Sequence, residues 1–245
     1  MEAIQTFSLT KRYRDVTAVD GLDLTVHEGE LFALLGVNGA GKTTTVKMLT
    51  CLSRPSGGDA LLGGESIVKN PAAVKAKIGV SPQETAVAPA LTVRENLELM
   101  AGMYGLGRAS RRRRAEAMLE QFSLGEVAAR RAGRLSGGWQ RRLSIAMALI
   151  GAPQILFLDE PTLGLDVIAR SELWETIRAL RTHATVVLTT HYMEEAEALA
   201  DRVGILRGGR LLVCATPQEI MAQTGADRFE EAFLRVVRGE GGTEE

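Results

Sequence analysis

The sequence is poor in the features that would tie it to an oxidising compartment, a bilayer or a polyanion. Only two of its 245 residues are cysteine, Cys51 and Cys214. Each stands alone in an apolar context, which fits buried reduced thiols better than a disulfide or a metal site. No apolar run reaches membrane length. The longest, Leu143 to Leu158, is broken by Gly151, Pro153 and Gln154 and falls short of the roughly 20 unbroken residues that a helical span needs. An excess of one charge is missing too: 29 Lys and Arg against 30 Asp and Glu leave a formal net charge of -1, so bulk charge demands neither nucleic acid nor an anionic membrane. The opening residues, MEAIQTFSLTKRYRD, carry charge early and show no apolar signal region with a cleavage site, so the expected location is the cytosol. What remains, 45% hydrophobic and 24% charged, suffices for a sizeable core in one compact unit with a subdomain.

Apolar runs flanked by glycine and turn residues recur at Leu31 to Gly36, Ile78 to Ser81, Ile155 to Asp159, Thr185 to Thr190 and Val203 to Leu206. They read as buried strands. Helical spacing at Lys42 to Leu52 and Ile168 to Leu180 between them predicts an α/β fold with a mostly parallel sheet covered on both faces. Short alternating pieces at Ile4 to Leu9, Ala18 to Val26 and Ala60 to Leu62 predict a small antiparallel β subdomain. Residues 92–150 show helical patterns and no strand, so a helical subdomain is expected there. Its first helix opens on the capping-box pair Thr92 and Glu95, with Val93, Leu97, Met100 and Tyr104 along one face. Arg111 to Arg114 point all round a helix and read as a solvated surface. Residues 1–91 and 151–215 then form the core and the antiparallel part. Residues 216–245 hold two C-terminal helices, one started by Thr216, Pro217 and Glu219 and one over Phe229 to Val237, followed by a loose tail, GEGGTEE.

GVNGAGKT, Gly36 to Thr43, follows an expected strand and opens an expected helix, the context a phosphate loop requires. Its glycines let successive N–H groups curl around phosphate oxygens at a helix N-terminus. Lys42 reaches the outer phosphates and the Thr43 hydroxyl suits magnesium. ILFLDEP ends a strand in two adjacent carboxylates, Asp159 and Glu160. In parallel sheets ligands gather at the carboxyl ends of the strands, and two acids beside a triphosphate repel it unless a cation intervenes. Asp159 therefore fits a magnesium role through water, and Glu160 fits the handling of the attacking water's proton. LSGGWQRR, Leu135 to Arg142, adds an anion-friendly turn: Ser136 can cap the next helix, while Gly137 and Gly138 permit close backbone approach.

Together these stretches resemble the nucleotide-binding domain of ATP-binding cassette (ABC) transporters, and the similarity runs from about Ile4 to Arg238. The resemblance implies a phosphate-loop ATPase hydrolysing MgATP, with Gly36, Asn38, Gly39, Ala40, Gly41, Lys42, Thr43 and Thr44 holding phosphates. It implies that Tyr13 stacks on adenine, that Gln83 in VSPQE senses magnesium and the attacking water, that Asp166 organises a dimer interface and that His191 contacts the γ-phosphate. Asp166 serves equally well as a helix N-cap. The resemblance also implies a head-to-tail dimer, in which Ser136, Gly137 and Gly138 of one copy face the phosphate loop of a second copy or paralogue. Separate membrane permease subunits would place the chain at the cytoplasmic face, and no nucleic acid is expected. GVSPQETAVAPALTVRENLELMAGMYGLGR and FEEAFLRVVRG resemble the ABC-2 type exporter branch. Trp139 departs from the best-known signature, LSGGQ, and its role is open. His27 and His183 match nothing and read as surface residues. The competing readings are a non-transport ABC ATPase acting on ribosomes or DNA, and a nucleotide-regulated binding module without turnover.

Overall fold

The computed structural model describes residues 1–239. The tail expected at the C-terminus lies, from Glu240 on, outside the described residues. Strand β1 (Glu2–Tyr13) is long enough to pair antiparallel with β2 (Val16–Leu22) and β3 (Thr25–His27) along one edge and with β5 (Gly57–Leu62) along the other, and β6 (Glu65–Ser66) continues the sheet beyond β5. Its register slips between Leu9 and Lys11 against β2 and between Phe7 and Thr10 against β5. Ser8, at φ 45°, marks the bulge, which lets one strand bend to serve several partners.

The second sheet carries the core. β4 (Leu31–Leu35) is buried at every position. Leu31, Ala33 and Leu35 join one hydrophobic cluster, Phe32 and Leu34 another. Side chains alternate along a strand, so an unbroken apolar run requires cover on both faces. α1 (Lys42–Leu49), α2 (Pro71–Lys77) and β7 (Ile78–Ser81) follow, then α3 (Val93–Met103), α4 (Arg108–Gln121) and α5 (Gly137–Leu149). The chain returns through β8 (Ile155–Asp159), α6 (Val167–Ala179), β9 (Thr185–Thr190), α7 (Met193–Leu199), β10 (Arg202–Arg207), β11 (Arg210–Ala215), α8 (Pro217–Thr224) and α9 (Phe229–Arg238). The six strands order as β11-β10-β4-β9-β8-β7, parallel except for the β10–β11 hairpin. β9 lies between β4 and β8, pairing Thr190 with Leu35 and Thr189 with Asp159. The carboxyl ends of these three strands are therefore level, and the segments that leave them share one edge of the sheet.

Both capping boxes, Thr92 with Glu95 and Thr216 with Glu219, are complete. Other expectations need correction. α1 stops at Leu49, short of Leu52: Leu52 and Ser53 N–H groups both donate to the Lys47 carbonyl at 2.9 Å, and Cys51 sits at φ 56°, a left-handed helix ending that side-chain spacing does not reveal. Neither Cys51 nor Cys214 is fully buried. Cys214 Sγ lies 3.0 Å from the Arg202 guanidinium. Among Arg111 to Arg114, Arg114 leaves the solvated face and donates to the Ile150 and Leu149 carbonyls at 2.9 and 3.2 Å, closing the end of α5. Tyr104 does not extend the buried stripe of Val93 and Leu97; it caps α3 at 43% exposure.

Candidate functional site

The loop that follows β4 wraps the first turn of α1 around a cavity of about 460 Å³. Gly41 caps α1 at φ 107°, and a Cβ there would lie 2.5 Å from the Ala18 carbonyl oxygen. Only glycine meets both demands. From the other side the Gly209 N–H holds the Ala40 carbonyl at 3.0 Å. The loop is thus fixed by the β2 strand and the β10–β11 turn before any ligand is considered.

Lys42 is 6% exposed. Its ammonium donates to the Gly36 carbonyl at 2.6 Å and the Val37 carbonyl at 3.4 Å, and lies 3.4 Å from Glu160 Oε1. The other Glu160 oxygen, Oε2, is 2.6 Å from His191 Nδ1. In a continuing strand Asp159 and Glu160 would point to opposite faces. Glu160 instead has φ 49°, a left-handed backbone that costs a side chain-bearing residue roughly 1 kcal/mol or more. Its N–H is held by the Thr189 carbonyl at 3.1 Å and the Thr189 hydroxyl at 3.0 Å. The turn breaks the alternation: Glu160 reaches Lys42, while Asp159 Oδ1 accepts from Thr189 Oγ1 at 2.5 Å and stands 3.5 Å from Thr43 Oγ1.

Most of the residues singled out in the sequence converge here. Tyr13, Asn38, Gly39, Ala40, Gly41, Lys42, Thr43, Thr44, Gln83, Glu160 and His191 all line the cavity. Tyr13 is 45% exposed, with the Lys11 ammonium 5.0 Å from its ring centre. Gly36 lies behind the loop, where a Cβ would be 2.6 Å from the Leu206 carbonyl oxygen. Ser136, Gly137, Gly138 and Asp166 do not line this cavity. Ser136 occupies the N-cap of α5, but its hydroxyl makes no capping bond. Gly137 and Gly138 pack α5 against the chain's own α6 region, a Cβ at each standing 3.7 Å from Leu165 and 3.3 Å from Ala169. Asp166 caps α6 through Ala169 N at 2.9 Å. Trp139 is half-buried against the core, with the Arg142 guanidinium 5.2 Å from its ring centre. His27 and His183 are exposed.

Two further residues position the site, Thr189 outside every motif and Arg141 inside one. Thr189 grips both acids, and Arg141 is 5% exposed and donates to the Pro82 and Gln83 carbonyls at 2.8 and 2.7 Å, fixing the loop that presents Gln83. The only sequence signal for Arg141 is its place in LSGGWQRR. For a metal the donor chemistry is hard oxygen: Thr43 Oγ1 and Asp159. Among the described residues no group of three or more His, Cys, Asp or Glu could hold an ion. Such a sparse oxygen set suits magnesium, which keeps waters and phosphate oxygens among its ligands, better than zinc or a protein-caged calcium.

Residues 19–163, more than half of the chain, match the family model described as ABC transporter. The daunorubicin resistance ATP-binding protein DrrA2 of Streptomyces coeruleorubidus is 45% identical over 229 residues, covering 93% of this chain and 71% of that protein. The Nod factor export ATP-binding protein I of Burkholderia pseudomallei (strain 1710b) is 43% identical over 222 residues, covering 90% of this chain and 73% of that protein. Among solved structures, a dimeric post-hydrolysis state of the ATP-binding cassette MJ0796 bound to ADP and Pi superposes with a TM-score of 0.78 at 28% identity, over 87% of this chain and 98% of that one.

Proposed function

The chain belongs to the ABC transporter family, and from that premise we propose how it works as the ATP-hydrolysing subunit of an exporter. ATP binds with its phosphates in the Gly36 to Thr44 loop, where backbone N–H groups, the N-terminus of α1 and the Lys42 ammonium offset their charge. Tyr13 supports the adenine. Thr43 and Asp159, with Gln83 at the rim, would hold magnesium, which when bound neutralises phosphate charge and orders the terminal phosphoryl group. Glu160 accepts the proton of the attacking water on its carboxylate. His191 holds Oε2 and so fixes the direction in which the carboxylate faces. Catalysis on this reading is positioning plus charge stabilisation, with one proton transfer.

The observation that carries it is the left-handed turn at Glu160, which places a buried carboxylate between Lys42 at 3.4 Å and His191 at 2.6 Å inside the phosphate-loop cavity. Glu160→Gln tests it: ATP binding, read by equilibrium dialysis, is retained, while turnover falls on the order of 100-fold or more. Near-wild-type turnover in a preparation free of contaminating ATPase would sink the assignment.

The assembly reading rests on different support. Ser136, Gly137 and Gly138 stand outside the chain's own cavity, and the MJ0796 cassette is dimeric. We propose a head-to-tail dimer in which this turn faces the partner's phosphates. No helix of the described residues is long and apolar enough to cross a membrane; we propose that export couples this chain to separate permease subunits. The names of the relatives, one for daunorubicin resistance and one for Nod factor export, support an exporter and leave the cargo of this chain open. Copurification with a polytopic membrane protein supports this reading; copurification with ribosomes instead would overturn it.

A further inference from the structure

The charges of the chain nearly cancel, but they are not evenly spread. Residues 92–150, which hold α3, α4 and α5, contain eleven arginines, no lysine and five acids, all glutamate. Five of those arginines fall between Arg108 and Arg114, a stretch without an acid. Arg114 turns inward to the end of α5. Arg111 Nε donates to the Leu106 carbonyl at 2.7 Å, and its guanidinium lies over Gly102 of α3. Among the described residues, none of Arg108, Arg112 and Arg113 has a side-chain hydrogen bond or ion pair, and Glu116, the first acid of α4, is held by Arg94 of α3. The arginines do not serve α4 itself: its first turn has no acid, and cations at the start of a helix oppose its dipole. The same end of the α3–α4 hairpin also lacks apolar cover. Met103 is 73% exposed, Leu99, one turn earlier on the same helical face, is 49% exposed, and Tyr104 stands exposed at the turn. Tyr104 and Arg113 line one cavity with Ile150 and Gly151, so the cations and the bare apolar side chains are neighbours.

We propose that the tip of the α3–α4 hairpin enters an anionic lipid surface, with Met103 and Tyr104 at the boundary of headgroups and acyl chains and Arg108, Arg111, Arg112 and Arg113 on the lipid phosphates. Three features favour a bilayer over an acidic protein. Successive residues of a helix stand about 100° apart, so Arg111, Arg112 and Arg113 spread round α4. A folded partner covers one side of a helix, whereas a headgroup layer entered end-on surrounds it. Exposed apolar and aromatic side chains among cations are the pattern that settles at a membrane interface. The guanidinium fork matches phosphate oxygens two at a time. A second basic cluster supplies the comparison within the same chain. Arg130, Arg131 and Arg134 line one concavity beside the start of α3, where the Val93 N–H donates to the Arg130 carbonyl at 3.0 Å, and no large apolar side chain is exposed among them. Charge alone makes the two clusters equivalent; insertion does not. The lipid contact goes beyond the hydrolytic reading and does not require it.

The test uses the full chain without nucleotide. Vesicles of phosphatidylcholine with about one third phosphatidylglycerol sediment the wild-type protein, and vesicles of phosphatidylcholine alone do not. Each arginine at an anionic surface contributes about 5-fold to partitioning, so Arg112→Gln together with Arg113→Gln lowers it about 25-fold. Arg130→Gln together with Arg131→Gln lowers it about 2-fold or less, because charges farther than a Debye length from the surface are screened. Arg112 and Arg113 are exposed, so their double variant keeps its ATPase activity and a thermal midpoint within about 2 °C of wild type. Met103→Trp reads insertion directly. Its emission, taken as the difference from wild type because Trp139 and Trp174 remain, shifts to the blue on the phosphatidylglycerol vesicles and is quenched by brominated acyl chains. No binding to those vesicles, equal binding to both kinds, equal losses in the two arginine variants, or bound Met103→Trp protein with unshifted and unquenched emission would each overturn the proposal. Failure to bind vesicles, with Arg112→Gln and Arg113→Gln instead releasing the chain from a copurifying membrane protein, would overturn it in favour of an acidic protein surface. A wild-type protein that binds the vesicles but has no ATPase activity would sink the hydrolytic reading and leave the lipid contact standing.

Discussion

Lys42 and Gly41 are neighbours in sequence, yet they contribute to the same loop by opposite means. Lys42 supplies a charge whose position is set by two carbonyls and Glu160. Replacing it with alanine removes a fixed cation from the loop, so on the proposed binding mode Lys42→Ala weakens ATP binding as well as hydrolysis. Its signature is a raised Kd by fluorescent-nucleotide titration, in contrast to Glu160→Gln, which keeps its Kd. Gly41 contributes by having no side chain. Gly41→Ala must relieve both φ 107° and a 2.5 Å contact with the Ala18 carbonyl, so the loop shifts away from β2, and binding falls together with the thermal midpoint; an unshifted midpoint and an unchanged Kd would show that the loop tolerates the methyl group. That these two residues share one loop and one cavity was legible from residue type and spacing, because a glycine-rich run between a strand and a helix admits few backbone solutions. Thr189 and Arg141 were not legible. Each acts through a hydrogen bond to a residue 29 to 59 positions away, and a linear pattern carries no trace of which threonine or arginine the fold will bring there.

At the scale of elements, the strands announced themselves because a sheet buried on both faces needs unbroken apolar runs, as in Leu31–Leu35 and the first four residues of Ile155–Asp159. The complete capping boxes at Thr92 and Thr216 were equally visible, since all their chemistry lies within four residues. The bent β1 was visible only in part, because its bulges depend on which strands lie beside it. α5 illustrates the limit. Its first turn reads as an anion-binding turn, yet Gly138 also serves close packing on Ala169, and its buried Arg141 reaches across to the strand-exit loop at Pro82 and Gln83. Arg141→Ala leaves two carbonyls without their donor, at about 1–3 kcal/mol each where water cannot replace it. The expected result is a thermal midpoint lower by several degrees together with a kcat loss through a misplaced Gln83. Arg141→Lys should recover little of either, because a single ammonium does not reproduce a guanidinium fork spanning two carbonyls. Full recovery by lysine, read in the same melting and turnover assays, would mean that charge alone is what the position requires.

For the whole molecule the question is what covers the first turn of α5. Ser136 and Gly137 are exposed, and so are Val167 and Ile168 at the start of α6, at 74% and 73%. Gly137 and Gly138 bring these two helix starts together through Leu165 and Ala169. A polar turn beside two bare aliphatic side chains is the surface that a head-to-tail partner would bury. Ser136→Arg places a long cation on that face and leaves the mutant's own phosphate loop intact. It should bind ATP normally as a monomer and fail to dimerise with MgATP in a Glu160→Gln background, as read by size-exclusion chromatography. Trp139 offers a second reporter, but a limited one: its ring already packs on the chain's own core beneath Arg142, so closure can shield only the remaining exposed part from acrylamide. The other tryptophan cannot simply be mutated away to isolate that signal, because Trp174→Phe would remove the N–H that Glu195 accepts. The comparison is therefore made between Glu160→Gln and Glu160→Gln with Ser136→Arg, both retaining Trp174. MgATP lowers quenching in the first and leaves it unchanged in the second if α5 and α6 form the interface. Normal dimerisation of the Ser136→Arg protein would place the interface elsewhere and return the signature turn to a packing role within one chain.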